Sequence, residues 1–81
     1  IPDTVINTSC EHIDDFEYWY NNIPLGKIVI LQSNDYHDLP EHVNTVTDKE
    51  HFVSTTPMTT VFYSGELKLS KYTRYMRIGI K

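Results

Sequence analysis

The sequence predicts an α/β fold with the element order β-α-β-α-β-β: two parallel strands, then a C-terminal antiparallel hairpin. Three observations carry this. Two β-branched apolar runs, Thr4 to Ile6 and Ile28 to Leu31, flank a stretch whose aromatic residues recur at helical spacing. Beyond Thr59 the apolar period falls to two, as in a half-buried strand. Finally, both early strands stop abruptly on polar clusters, Asn7-Thr-Ser-Cys-Glu-His12 and Gln32-Ser-Asn-Asp35, instead of on simple turn residues.

The elements follow in order. Thr4 to Thr8 is a short strand. Asp14-Asp-Phe-Glu17 reads as a helix start, with Asp14 and Glu17 forming a capping box and Ile13 stapling against Tyr18. The helix runs from Asp14 to about Asn22. Phe16, Trp19, Tyr20 and Ile23 make its apolar face, and Asp14, Asp15 and Glu17 complement the positive end of its dipole. Pro24-Leu-Gly26 ends it. The second strand is Lys27 to Leu31, whose consecutive aliphatics predict burial on both faces, as in a parallel sheet covered by helices. Strand, helix and strand then form a right-handed βαβ unit.

A longer connection, 36–47, contains Pro40 and Glu41-His-Val-Asn44. Thr47-Asp-Lys-Glu50 has capping-box spacing, predicting a short helix from Asp48 to about Ser54 that buries Phe52 or Val53. The strand that begins at Thr59 carries Val61, Tyr63, Leu67 and Leu69, with a bulge expected at Gly65. Lys68 to Tyr72 turns, and Thr73 to Ile80 is the last strand. No repeat or low-complexity segment interrupts this pattern.

At 81 residues the chain is a single domain at most, burying roughly 60% of its unfolded surface. No apolar run approaches the roughly 20 residues of a membrane span, so no membrane partner is expected. One cysteine cannot form an internal disulfide, which points to a reducing, cytoplasmic setting. Ten of eleven acidic residues lie at or before position 50, whereas five of seven basic residues fall between Lys68 and Lys81. Lys68, Lys71, Arg74, Arg77 and Lys81 read as the solvated side of the hairpin; nucleic-acid binding is not expected without a denser basic face. The chain opens Ile1-Pro-Asp without Met, directly into a strand. That reads as the interior of something longer, a processed product, or a trimmed end.

In open α/β sheets ligands sit just beyond the carboxyl ends of the strands, which makes the two polar clusters the candidate site. Cys10 and His12 follow the first strand, and Glu41, His42 and Asn44 follow the second; Glu-His-aliphatic occurs in both places. Three readings compete. Cys10, His12 and His42, with His37 as a fourth, are the right ligand types for zinc, although neither C-x-H nor H-x₄-H is a standard structural spacing. Cys10 with a histidine base is a nucleophile pair, if the thiolate is stabilised and the geometry allows. The third reading is a ligand pocket whose loops are shaped by Asn7, Ser9, Gln32 and Asn34, and it asks least of the residues. His51 reads as a surface residue. Tyr18, Trp19 and Tyr20 fit a helix core and its rim better than a base-stacking platform.

Asn7-Thr-Ser-Cys-Glu-His12, Leu31-Gln-Ser-Asn34, Glu41-His-Val-Asn44, Tyr63-Ser-Gly-Glu66 and Lys71-Tyr-Thr-Arg-Tyr-Met76, taken in order, resemble the second half of a class I S-adenosylmethionine-dependent methyltransferase. The likeness is to a group common in bacterial and phage sequences, and it spans nearly the whole chain. It implies a partial Rossmann-like sheet whose strands are the fourth to seventh of that fold, closed by the antiparallel hairpin. S-adenosylmethionine is the implied cofactor. The Asn7 to His12 loop would line the methyl-transfer side of the cleft, Gln32 and Asn34 would occupy the neighbouring strand end, and His42 and Asn44 the loop over it; Asn7, Thr8, Ser9, Gln32 and Asn34 are the implied cofactor-binding residues. Cys10, His12 and His42 are the catalytic candidates, and the methyl acceptor is left open. The family's glycine-rich turn and acidic ribose-binding position belong to its first half. They are not in this chain, whose Gly26, Gly65 and Gly79 form no G-x-G, so activity of these residues alone is not expected. The first strand would lack its usual neighbour, which predicts a homodimer or higher assembly through that edge. A small self-associating α/β module that binds a ligand or partner without turnover is the alternative.

Overall fold

A computed structural model describes residues 3–37, 39 and 41–81; the readings that involve Ile1, Pro2 and Pro40 lie outside it. The chain forms a small mixed α/β structure. Among the described residues the four strands are β1 (Thr4–Asn7), β2 (Ile28–Asn34), β3 (Thr60–Lys68) and β4 (Thr73–Ile80), and the helices are α1 (Phe16–Asn21) and α2 (Lys49–Thr55). A 3-10 turn, Cys10–His12, separates β1 from α1. The sheet order is β1-β2-β4-β3. β1 and β2 are parallel, in register from Thr4 opposite Ile28 to Asn7 opposite Leu31. β4 lies antiparallel to both β2 and β3. No helix among the described residues is long and apolar enough to cross a membrane.

Both helices lie on one face. The crossovers from β1 to β2 and from β2 to β3 run in the same direction across the sheet, and right-handed crossovers then put their helices on the same side. The shared core bears this out: Val29 and Leu31 of β2 and Tyr75 of β4 are buried with Phe16 and Tyr20 of α1, Ile23, Val46 and Phe52 of α2. The expectation that β2 is covered on both faces is therefore corrected. Val29, Leu31 and Ser33 are buried, but their alternates Ile28, Ile30 and Gln32 are exposed or half-buried. Ile6 at 64% exposure, Tyr63 at 50% and Leu67 at 59% continue this bare face across the sheet.

Both caps sit one residue later than expected. Asp15, not Asp14, caps α1, its carboxylate accepting the Tyr18 backbone N–H at 3.1 Å. Asp48 caps α2 by accepting the His51 backbone N–H at 2.8 Å, while the His51 ring Nδ1 accepts from Thr47 N–H at 3.0 Å. An aspartate one residue nearer the first apolar position outcompetes the residue before it. Gly26 has a φ of +88°, a left-handed conformation that turns the chain from α1 into β2. The register irregularity in β3 falls between Val61 and Tyr63, not at Gly65. Gly65 stays in register opposite Met76, and its missing side chain leaves room for the Tyr63 ring.

The reading of the late basic residues as a solvated row holds for the exposed Lys68, Lys71 and Arg74 and is corrected at Arg77. Arg77 is 4% exposed, on the helix-covered face of β4 opposite Leu31. Its Nη1 donates to the carbonyls of Val53 (3.0 Å) and Thr56 (2.7 Å) and lies 2.7 Å from Thr56 Oγ1, tying the last turn of α2 to the sheet. Burial pulls its pKa down, opposed by nearby Tyr20. Burial likewise raises Tyr20, whose hydroxyl donates to the Pro57 carbonyl at 2.7 Å. Lys81 Nζ donates to the Ile23 carbonyl at 2.6 Å, just beyond α1, and sits 5.1 Å from the Tyr20 ring centroid. Cations at helix C-termini satisfy carbonyls that have no helical partner.

Arg77→Met keeps much of the bulk but removes the donor to the Val53 and Thr56 carbonyls. It is expected to cost about 1–3 kcal/mol, read as a lower urea midpoint with unchanged slope. An unshifted midpoint contradicts the clamp.

Candidate functional site

The parallel register puts the carboxyl ends of β1 and β2 at the same edge, but the strands do not stop together. β1 leaves the sheet at Asn7 opposite Leu31, while β2 continues through Gln32, Ser33 and Asn34 along β4. The polar cluster expected after β2 is thus partly strand, because pairing to β4 carries β2 onward after β1 has gone. The 3-10 turn folds against this overhang. Asn7 starts it, its Oδ1 accepting the Ser9 N–H at 2.8 Å, and His12 N–H then bonds to Ser9 O at 3.0 Å.

Two asparagines join the loops. Asn44 N–H donates to Glu11 O at 2.9 Å, and its side-chain amide donates to Cys10 O at 3.2 Å. Asn34 acts from the strand. Its Nδ2 donates to Glu11 Oε1 at 3.1 Å, its Oδ1 accepts from Tyr36 N–H at 3.1 Å, and its carbonyl accepts from Val46 N–H at 3.0 Å. Segments more than twenty residues apart in sequence are held as one rim.

Two of the catalytic candidates come together there. The His12 and His42 rings meet edge to face with centroids 4.6 Å apart. Glu11 joins them: one ligand-type atom from each of Glu11, His12 and His42 lies within 4.8 Å of the others. Glu11 is 6% exposed, and its Oε2 is buried without a hydrogen-bond partner among the described residues. His42 Nδ1 lies 2.8 Å from the Tyr36 carbonyl. A carbonyl only accepts, so this nitrogen holds the proton and Nε2 is left with the lone pair in the neutral ring. Tyr36 in turn meets the Tyr72 ring edge-on at 5.1 Å.

Cys10 belongs to the core instead. It has no exposed surface, its thiol donates weakly to Asn7 O at 3.5 Å, and burial pushes its pKa up to about 12. A thiol so placed is neither an accessible nucleophile nor a ready thiolate ligand. His37, the proposed fourth ligand, is exposed and pairs with the Thr45 hydroxyl, outside the Glu11–His12–His42 group. Thr8 and Ser9 are exposed at the rim, and Gln32 is half-buried on the sheet. Asn7 and Asn34 spend their side-chain groups on the local structure. Glu11 is the residue that sequence reasoning passed over. Its adjacency to His12 was visible, but its burial depends on Asn34, twenty-three residues away.

A concavity of about 420 Å³ runs between α1 and α2 and is lined by Phe16, Tyr20, Asn44 and Thr55. A shallower groove of about 250 Å³ lies on the hairpin beside Gln32, Tyr63, Leu67 and Met76. Neither contains the Glu11–His12–His42 group. Compared with family models, curated proteins and solved structures, the chain matches none.

Two outcomes follow. Asn34→Ala removes the amide that faces Glu11 and is expected to destabilise by about 1–3 kcal/mol, measured by urea unfolding; an unchanged midpoint contradicts the latch. Cys10 in the native protein should react with a thiol reagent at least about a hundredfold more slowly than in urea, because labelling must await opening of the core. Equal rates would place it at the surface.

Proposed function

We propose that this chain is the second half of a class I S-adenosylmethionine-dependent methyltransferase domain of bacterial or phage type, contributing to methyl transfer only beside the first half. The observation that carries this reading is the meeting of three of the five resembling segments. Asn7 to His12, Leu31 to Asn34 and Glu41 to Asn44 are joined through Asn34 and Asn44 at the carboxyl ends of adjacent parallel strands. That edge is where open α/β sheets bind their ligands. The closing antiparallel hairpin of the implied fold corresponds to β3 and β4.

The bare sheet face supports the same reading. Parallel strands are stable when covered on both sides, yet Ile6, Ile28, Tyr63 and Leu67 stand exposed, and β1 pairs on one edge alone among the described residues. A first half would extend the sheet from β1 and bring helices to that face. In this reading Thr8 and Ser9 face S-adenosylmethionine, Gln32 borders it, and Asn7 and Asn34 shape the loops. His12 and His42 overlook the methyl acceptor, whose identity belongs to loops that vary independently of the fold. A cytoplasmic setting belongs to the same proposal.

Calorimetry with S-adenosylmethionine and S-adenosylhomocysteine tests it, on this chain and on a longer chain containing it. Binding to the longer chain alone is expected; binding to neither overturns the reading.

A second reading rests on the same bare face and free edge: a self-associating α/β module that binds without turnover. Sedimentation at rising concentration is expected to show a dimer or larger assembly of the isolated chain, and Ile6→Lys to shift it toward monomer. A monomer at every concentration removes this reading.

A further inference from the structure

We infer that Glu11, His12 and His42 form a binding site for a single zinc-class divalent cation, with a coordination position left open to solvent. This goes beyond the methyltransferase reading and does not depend on it.

The argument begins with the carboxylate. Glu11 is buried and, among the described residues, receives one side-chain donor, Asn34 Nδ2 at 3.1 Å, on Oε1, while Oε2 has no partner. A buried carboxylate with an orphaned oxygen is costly unless a cation or donors face it. The nearest cationic candidate is the His12 ring, whose Nε2 is 4.0 Å from Glu11 Oε1, too far for a hydrogen bond. The His42 ring stands edge-on to His12, so two imidazoles and one carboxylate converge on the same space.

The surroundings of these groups are those of ligands held ready. Histidine ligands characteristically donate their other ring nitrogen to a carbonyl or carboxylate, and ligating carboxylates are themselves hydrogen-bonded. Here His42 Nδ1 bonds to the Tyr36 carbonyl at 2.8 Å, leaving Nε2 for a metal, and Asn34 orients Glu11. Asn44 clamps the loop that follows His42 to the turn that carries Glu11 and His12. Donors around a tetrahedral ion with bonds of about 2.0–2.1 Å stand roughly 3.4 Å apart. The atoms here lie within 4.8 Å of one another, so closure requires a modest side-chain rotation. His12, with 42% of its side chain exposed, is free to make it.

The donor set selects the ion. Two imidazole nitrogens and one carboxylate suit zinc, cobalt, nickel or copper, whereas magnesium and calcium take oxygen donors. Three protein ligands leave the fourth position of a tetrahedral ion for water or a ligand atom, the pattern of zinc sites that are not purely structural. His12 is exposed and His42 half-buried, so this position faces solvent. Cys10, the sulfur ligand that the sequence offers, faces the core and does not take part.

The test is calorimetric titration of metal-stripped protein with zinc chloride, with cobalt(II) absorption as a second readout. One ion per chain is expected at low-micromolar free zinc, with the visible bands of four-coordinate cobalt. Glu11→Gln keeps the shape and the Asn34 contact, and His12→Asn alters an exposed side chain; each should weaken binding about tenfold or more. Cys10→Ala should leave affinity unchanged. Circular dichroism separates loss of a ligand from loss of the fold, and S-adenosylmethionine binding by a longer chain is scored independently. Absence of binding by the parent protein overturns the proposal. So does zinc affinity that survives both Glu11→Gln and His12→Asn in folded protein, or that is lost with Cys10→Ala.

Discussion

The parallel pairing of β1 with β2 is the constraint on which everything else rests. Thr4 through Asn7 match Ile28 through Leu31 in the same direction, so the chain leaves both strands at one edge of the sheet. Antiparallel pairing would have sent the loop after β1 and the loop after β2 to opposite ends. A parallel pair demands a crossover, and α1 supplies it by burying Phe16 and Tyr20 against Val29 and Leu31. The core packing and the gathering of polar residues at the rim therefore have the same origin.

The second crossover completes the arrangement and creates its asymmetry. Because it runs the same way as the first, α2 joins α1 on one face, where Arg77 fastens its last turn to β4. The opposite face keeps Ile6, Ile28, Tyr63 and Leu67 in contact with solvent. This exposed apolar surface is why both proposed readings invoke further protein, either the other half of a domain or another copy of this chain.

Much of this was legible in the sequence, and the misses have identifiable causes. Element order and type came from periodicity: Phe16, Tyr20 and Ile23 are buried along one face as their spacing requires, and Trp19 packs partly against them. The α1 cap slipped by one residue because Asp14 and Asp15 are equivalent locally, and only the final helix geometry chooses between them. Arg77 looked like one member of an exposed basic row; its burial follows from register with β2 and from the carbonyls of α2, both non-local. The site shows the same division. The pairing of His12 with His42 was anticipated from two strand ends sharing an edge. The exchange of Cys10 for Glu11 was not, because a 3-10 turn rotates successive side chains by about 120°, and which one turns inward depends on Asn34 and Asn44.

The central claim is geometric: two loops separated by β2 form one rim because their strands run the same way. The most direct measurement is a ¹⁵N/¹³C-resolved NOESY spectrum of the isolated chain. The predicted result is a ladder of cross-strand contacts that ascends in step from Thr4–Ile28 to Asn7–Leu31, together with contacts between the Asn44 amide and Glu11. A ladder that descends along one strand as it ascends the other, or a 41–47 loop with no contact to the Cys10–His12 turn, would contradict it.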